Sequence, residues 1–387
     1  MGRNETSYLD NNATTPVDPR VADQMRPYFA DHFANPSSDH PAGRRAKAAV
    51  DRAAELLGEL IGAASGDIVW TSGATESNNL AIKGVCEAYR DRGDHIITSR
   101  TEHRAVLDIC EYLEAIGLRV TYLEPDATGR VAPAQVAEAI EDRTVLVTVM
   151  LANNEIGTLQ PLAEIGRICK QRGVLLHTDA AQAVGKVRVN VEQLGADLAS
   201  ISAHKMYGPK GAGALYVRRR GPRVRPAAQI HGGGHQRGLR SGTLNVPGIV
   251  GLGAAAEIIA SELADEQRRL TALRDRLYAG ITAHVDDVRR NGHATKTLPN
   301  TLSLSFARID AEALIGRLGG VAVSSASACS STSEGPSHVL RAIGTPPEWI
   351  NGTLRFSVGR FNTPDEIDRV VERLAGAVAD LRELSAL

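Results

Sequence analysis

The stretch VLLHTDAAQAVGKVRVNVEQLGADLASISAHKMYGPKGAGALYV, residues 174–217, decides the fold. VLLHT, DLASIS and ALYV are short apolar runs that read as strands, the last two on either side of the loop AHKMYGPKG. Asp179 directly follows the first run. Lys205 stands 26 positions later, the distance of one more helix and strand, which returns the lysine to the same sheet edge. Ligands in open α/β sheets sit beyond the carboxyl ends of the strands, so both residues fall where chemistry is to be sought.

Working outward, the same grammar runs back to residue 67. The runs IVWT, HIITS, RVTYLE and TVLVTVM alternate with helical stretches through NNLAIKGVCEAYR, AVLDICEYLEAIG, PAQVAEAIE and AEIGRICKQRG. Alternation of this kind is the pattern of a mostly parallel sheet covered by helices, here of seven strands. Beyond residue 254 the pattern changes to a long charged helix near 254–282, separated strand-like pieces such as LPNTLSLSF, and a terminal helix from Pro364. The expected organisation is a large domain over 17–254 and a smaller α+β domain formed by 1–16 and 255–387.

A chain of 387 residues exceeds one usual core, in keeping with two domains. The formal net charge of −1 and a pI near 6.8 give no reason to expect direct contact with nucleic acid or an anionic membrane surface. Cys86, Cys110, Cys169 and Cys329 lie far apart with no CxxC pair, which argues against a zinc ribbon or a secreted disulfide framework and for a reducing, cytoplasmic setting. No uninterrupted apolar run approaches the ~20 residues that cross a bilayer. His231 and His235 in HGGGHQ lack a third ligand nearby, so no metal site is expected.

Three features together imply a cofactor. In TSGATES, residues 71–77, small residues open a helix, and Gly73, Ala74 and Thr75 can cradle a phosphate on free backbone N–H groups, although the same pattern also suits an ordinary helix cap. Asp179, more often a cap at such a position, would need a cationic partner such as a pyridinium nitrogen to offset burial. Lys205 is one of seven lysines and, with Lys210, one of two in a glycine-containing loop between strands. Phosphate held, ring nitrogen kept protonated and aldehyde captured by a lysine are the three anchors of pyridoxal 5′-phosphate.

The blocks LDNNATTPVD, TSGATESNNLAIKG, TEHRAVLD, ANNEIGT, HTDAAQAVGK, SAHKMYGPKG, HGGGHQRGLRSGT, SSASACSS and LRFSVGRF together resemble, in order, those of the cysteine desulfurases, class V members of the aspartate-aminotransferase-like superfamily. The resemblance runs from about Tyr8 to Leu384 and implies fold type I. It also implies roles: Lys205 holds the cofactor, His103 stacks on its ring and serves in proton transfer, Asp179 pairs with the ring nitrogen and Gln182 with the ring hydroxyl. Ala74, Thr75, Ser202 and His204 bind phosphate, while Thr243 reaches the phosphate of the partner in a homodimer. Asn154 and Arg355 hold the substrate carboxylate, Arg355 through its bidentate fork.

Cys329 separates a desulfurase from an aminotransferase. It lies in SSASACSSTSEGPSH, residues 324–338, a stretch with little apolar content to bury a thiol, and exposed thiols are the reactive kind. Residues 330–337 read as a tether that swings sulfur from cofactor to acceptor. The resemblance implies removal of sulfur from L-cysteine as a persulfide on Cys329, passed to a protein such as an iron–sulfur scaffold, with Cys329 at most a transient cluster ligand. Sulfur donation to tRNA or DNA thiolation, selenocysteine lyase chemistry and a partner-binding sulfur carrier stay open as alternatives; a nicotinamide enzyme is disfavoured because no GxGxxG follows the first strand. Two features depart from the family pattern: Ala326 replaces the usual glycine, and the sequence stops at LRELSAL, short of the segment where scaffolds dock on housekeeping members.

Overall fold

The computed structural model describes residues 6–325 and 336–385. Its centre is a seven-stranded sheet of β1 (Ile68–Thr71), β2 (His95–Ser99), β3 (Arg119–Leu123), β4 (Thr144–Thr148), β5 (Leu175–Asp179), β6 (Leu198–Ser202) and β7 (Gly213–Val217). The spatial order is β1-β7-β6-β5-β4-β2-β3, with β7 antiparallel to both neighbours and every other pairing parallel. The expected α/β fold with a mostly parallel sheet is therefore present.

Alternate side chains explain why these runs are strands. Ile68, Trp70, Ile97, Val147, Leu176, Ile201 and Tyr216 join a core on one face, while Val69, Ile96, Leu146, Leu175, Leu198 and Leu215 join a core on the other. A sheet buried on both faces needs this continuous hydrophobicity. Helices α1 (Pro41–Ile61), α2 (Ala74–Ala88), α3 (Arg104–Ala115) and α4 (Leu162–Arg172) supply the covering layers.

The long helix α5 (Val246–His284) begins eight residues before its expected start, because Asn245 caps it by accepting from Gly248 N–H and Pro247 suits a first turn. Part of it is long and apolar enough to cross a membrane by length and composition, although its uninterrupted apolar run ends at Glu257, and 61% of that window is buried inside the molecule. It is a core helix: Ile249, Leu252 and Ile259 pack into the large core, and Leu270, Leu273, Leu277 and Ile281 into a second one. That second core also takes in Leu9, helix α6 (Pro364–Ser385) and an antiparallel sheet of β8 (Val288–Asn291), β9 (Thr301–Phe306), β10 (Ser324–Ser325) and β11 (Thr353–Ser357), ordered β10-β11-β9-β8.

The Gly-rich stretch 231–243 is not a linker. Gln236 accepts from Trp70 N–H at 2.6 Å and donates to Trp70 O at 2.8 Å, while Arg237 donates to Ile68 O, so the loop docks along the open edge of β1. Gln236 and Arg237 both adopt positive φ, at 49° and 63°, to make this approach.

Candidate active site

A cavity of about 800 Å³ opens beyond the carboxyl ends of β1, β2, β4, β5 and β6. Ala74, Thr75, His103, Asn154, Asp179, Gln182, Ser202, His204, Lys205 and Arg355 all line it. Ten sequence-predicted residues from five strand ends and β11 thus meet around one space.

At one wall, α2 starts at Gly73 with no side-chain cap, so the ordinary reading of TSGATES as an N-cap does not apply. The first-turn N–H groups are left for an anion, favoured by the helix dipole. The turn fits only because Gly213 opposite is a glycine: a Cβ there would stand 2.5 Å from Gly73 Cα and 2.7 Å from Ile201 O. His204 closes this wall, its Nδ1 3.1 Å from Thr14 Oγ1. Burial, and then the charges of Lys205, Lys210 and Lys186, push its pKa down to about 4, so the ring is neutral at pH 7.

Asp179 is the last residue of β5 and is buried. Its Oδ2 accepts from Asn78 Nδ2 at 2.7 Å and its Oδ1 from Ala181 N–H at 2.9 Å. The capping reading of this residue is realised, since one oxygen caps the following turn. Gln182 donates through Nε2 to Asn12 O and accepts at Oε1 from Lys186 Nζ, each at 2.9 Å.

Lys205 ends a short 3₁₀ turn after β6, and its Nζ donates to Asn12 O at 2.5 Å and Ala13 O at 2.7 Å. Two residues on, buried Tyr207 holds φ 63°, costly for a bulky side chain. Its N–H bonds Thr15 Oγ1, its hydroxyl accepts from Arg360 N–H, and the Arg360 guanidinium lies 4.3 Å from its ring. These contacts hold the lysine loop in place.

His103 caps α3 by accepting from Ala105 N–H at Nδ1, which leaves the proton of the neutral ring on Nε2. Burial keeps it neutral by lowering its pKa. The preceding Glu102 is wholly buried, accepts from Met150 N–H, and has its pKa raised well above the usual range by that burial. Arg355, on β11, is 3% exposed and donates to Asn154 O and to Asp10 Oδ1, an ion pair held inside the protein.

Thr243 is exposed and does not line the cavity. Cys329 and Ala326 lie outside the described residues, whereas Cys86, Cys110 and Cys169 are buried free thiols on helices. No group of three His, Cys, Asp or Glu that could hold a metal occurs among the described residues. Sequence reasoning missed Asn12, Asn78 and Lys186. Each lies in a quoted motif, but carboxamides and a lysine in a helical pattern carry no signal until the fold brings them under the site.

A sequence model of the aminotransferase class-V family matches residues 7–370. The chain is 51% identical over 381 residues to a cysteine desulfurase IscS of Anaeromyxobacter dehalogenans, covering 98% of this chain and 94% of that one. Among solved structures, a NifS-like protein superposes with TM-score 0.90 at 38% identity, covering 99% of this chain and all of that one. A chain solved as SspA in complex with cysteine gives TM-score 0.82 at 39% identity over 92% of this chain and 100% of that one. On these likenesses, and on a lysine, an aspartate and an uncapped helix around one cavity, the chain belongs to the class V aminotransferase family and to its cysteine desulfurases.

Proposed function

We propose that this chain takes sulfur from L-cysteine, leaving L-alanine, and carries it as a persulfide on Cys329 to an acceptor protein such as an iron–sulfur scaffold. The observation that carries the reading is the meeting of Lys205, Asp179, His103 and Arg355 around one cavity. A relative solved with cysteine supports the substrate.

The residues fit pyridoxal 5′-phosphate. An uncapped helix start suits its phosphate, the buried Asp179 carboxylate suits a protonated ring nitrogen, and Gln182 offers a donor to the ring hydroxyl. When bound, the cofactor supplies an electron sink for charge developing on the substrate. The chain's own residues do the rest. Arg355 and Asn154 orient the substrate carboxylate, Lys205 Nζ moves the Cα proton, and His103 Nε2 carries a proton beside the reacting group. In the net reaction the Cβ–Sγ bond of cysteine breaks, an S–S bond forms on Cys329, and Cβ gains a proton.

A homodimer completes the proposal, with exposed Thr243 reaching the phosphate of a second copy. The two separate cores support a large domain over 17–254 and a small one from 1–16 and 255–387, with α5 crossing between them. The free thiols support a cytoplasmic setting. The test is incubation with L-cysteine and dithiothreitol, measuring alanine and sulfide together: equal yields are expected, and absence of alanine would refute the reading.

A further inference from the structure

Two lysines are joined beneath the cavity through one carboxamide and one carbonyl. Lys186 Nζ donates to Gln182 Oε1 at 2.9 Å, Gln182 Nε2 donates to Asn12 O at 2.9 Å, and Lys205 Nζ donates to the same Asn12 O at 2.5 Å. Lys186 is 4% exposed and does not line the cavity, whereas Gln182 does. A buried lysine that touches no ligand and pairs with a neutral group is costly, so it needs an explanation.

The donor chemistry supplies one. Lysine can only donate and a backbone carbonyl can only accept, so the contacts at both ends fix which way the Gln182 carboxamide faces. Without the lysine, the carboxamide can turn over and offer its oxygen to the cavity. A cation on Oε1 also draws electron density from the amide and makes Nε2 a stronger donor. We propose that Lys186 is a positioning residue of the active site, acting through Gln182 to present a strengthened N–H donor to the cofactor's ring hydroxyl. This rests on the pyridoxal phosphate reading above.

Burial, then Lys205 and Arg355, oppose the charge on Lys186, and Glu266 favours it; together they bring its pKa down to about 7. The donor on Gln182 is thus poised rather than fixed in strength.

Lys186→Met replaces the cation with an apolar chain of similar length, a change that often leaves stability intact because the desolvation cost disappears. Purified holoenzyme, Lys186→Met, Gln182→Ala and the double variant are compared by thermal melting, by pH titration of the visible absorbance of the bound cofactor, and by kcat and KM for cysteine. The expected result for Lys186→Met is an unchanged melting temperature, an absorbance titration displaced by about one pH unit, which is about tenfold in the equilibrium, and a lowered kcat at unchanged KM. The double variant should titrate like Gln182→Ala alone, because Lys186 acts through Gln182. A Lys186→Met protein that titrates like wild type, or additive shifts in the double variant, overturns the proposal. Should Lys186→Met melt early, the comparison of the double variant with Gln182→Ala still decides it. A wild type with no visible absorbance after pyridoxal phosphate is added would instead defeat the underlying reading.

Discussion

Asn78 Nδ2 lies 2.7 Å from Asp179 Oδ2, tying the first turns of α2 to the end of β5. Both side chains are buried, and Asn78 Oδ1 has no hydrogen-bond partner among the described residues. The helix with the uncapped first turn therefore also orients the Asp179 carboxylate across the cavity, and in the proposed reading these two groups hold opposite ends of the cofactor. Removing the amide in Asn78→Ala deletes a hydrogen bond to a charged group worth about 1.5–3 kcal/mol. Pyridoxal phosphate affinity, measured by fluorescence titration of the apoprotein, should fall roughly tenfold to a hundredfold on that basis.

Gly213→Ala should damage the anion cradle without touching any polar group. The new methyl would press on Gly73 Cα and Ile201 O, both backbone atoms that cannot swing aside. Overpacking of this kind costs about 1–3 kcal/mol, readable as an earlier chemical-denaturation midpoint. Release of cofactor on dialysis should rise with it, and a variant that melts and binds as wild type would contradict the close approach.

Lys205→Ala and Cys329→Ser should separate cofactor capture from sulfur capture. Lys205→Ala is expected to lose the visible absorbance of the holoenzyme and essentially all alanine production. Cys329→Ser should keep the absorbance but yield no sulfide with dithiothreitol, and full sulfide release from it would point to elimination chemistry.

The buried thiols make a labelling prediction. Burial pushes the pKa of Cys86 and Cys169 up to about 12 and that of Cys110 higher still, so none forms thiolate near neutrality. Iodoacetamide at pH 8 should modify one cysteine per native chain, identified as Cys329 by peptide mass spectrometry.

His177 supplies a pH dependence of stability. It is wholly buried in β5 between Thr148 Oγ1 and Ser200 Oγ, and burial lowers its pKa from 6.5 to about 4. The unfolded chain therefore binds a proton that the folded one refuses between those values. Stability is complete above pH 6.5 and is lost as pH falls toward 4, by about 2 kcal/mol at pH 5. Urea unfolding at pH 7 and pH 5 should show at least that drop in wild type, since His204 and His103 add to it in the same direction, and His177→Asn should show a smaller one; equal drops would remove His177 as a cause.

Much of this was legible in the sequence. The spacing of Asp179 and Lys205 placed both at one sheet edge, although the connection before β6 is mostly turns with a helix of only four residues, Val191–Leu194, and short apolar runs located all seven strands. Partner choice was less legible. Nothing in NNATTP announces that Asn12 O receives both Lys205 and Gln182, since the bond crosses 193 positions of chain to a backbone atom. The start of α5 was misjudged because its first turns are apolar and glycine-rich, while the signal that sets it is the side chain of Asn245.

Gln236 gives and receives one hydrogen bond with the backbone of a single residue, Trp70. Its amide thereby imitates the peptide group of an eighth strand. An edge so occupied offers no template for another strand, which protects a sheet of this size from uncontrolled stacking. It also restricts how two copies can meet: β1 cannot extend into a sheet shared between them, and the same loop that seals the edge carries Thr243 outward.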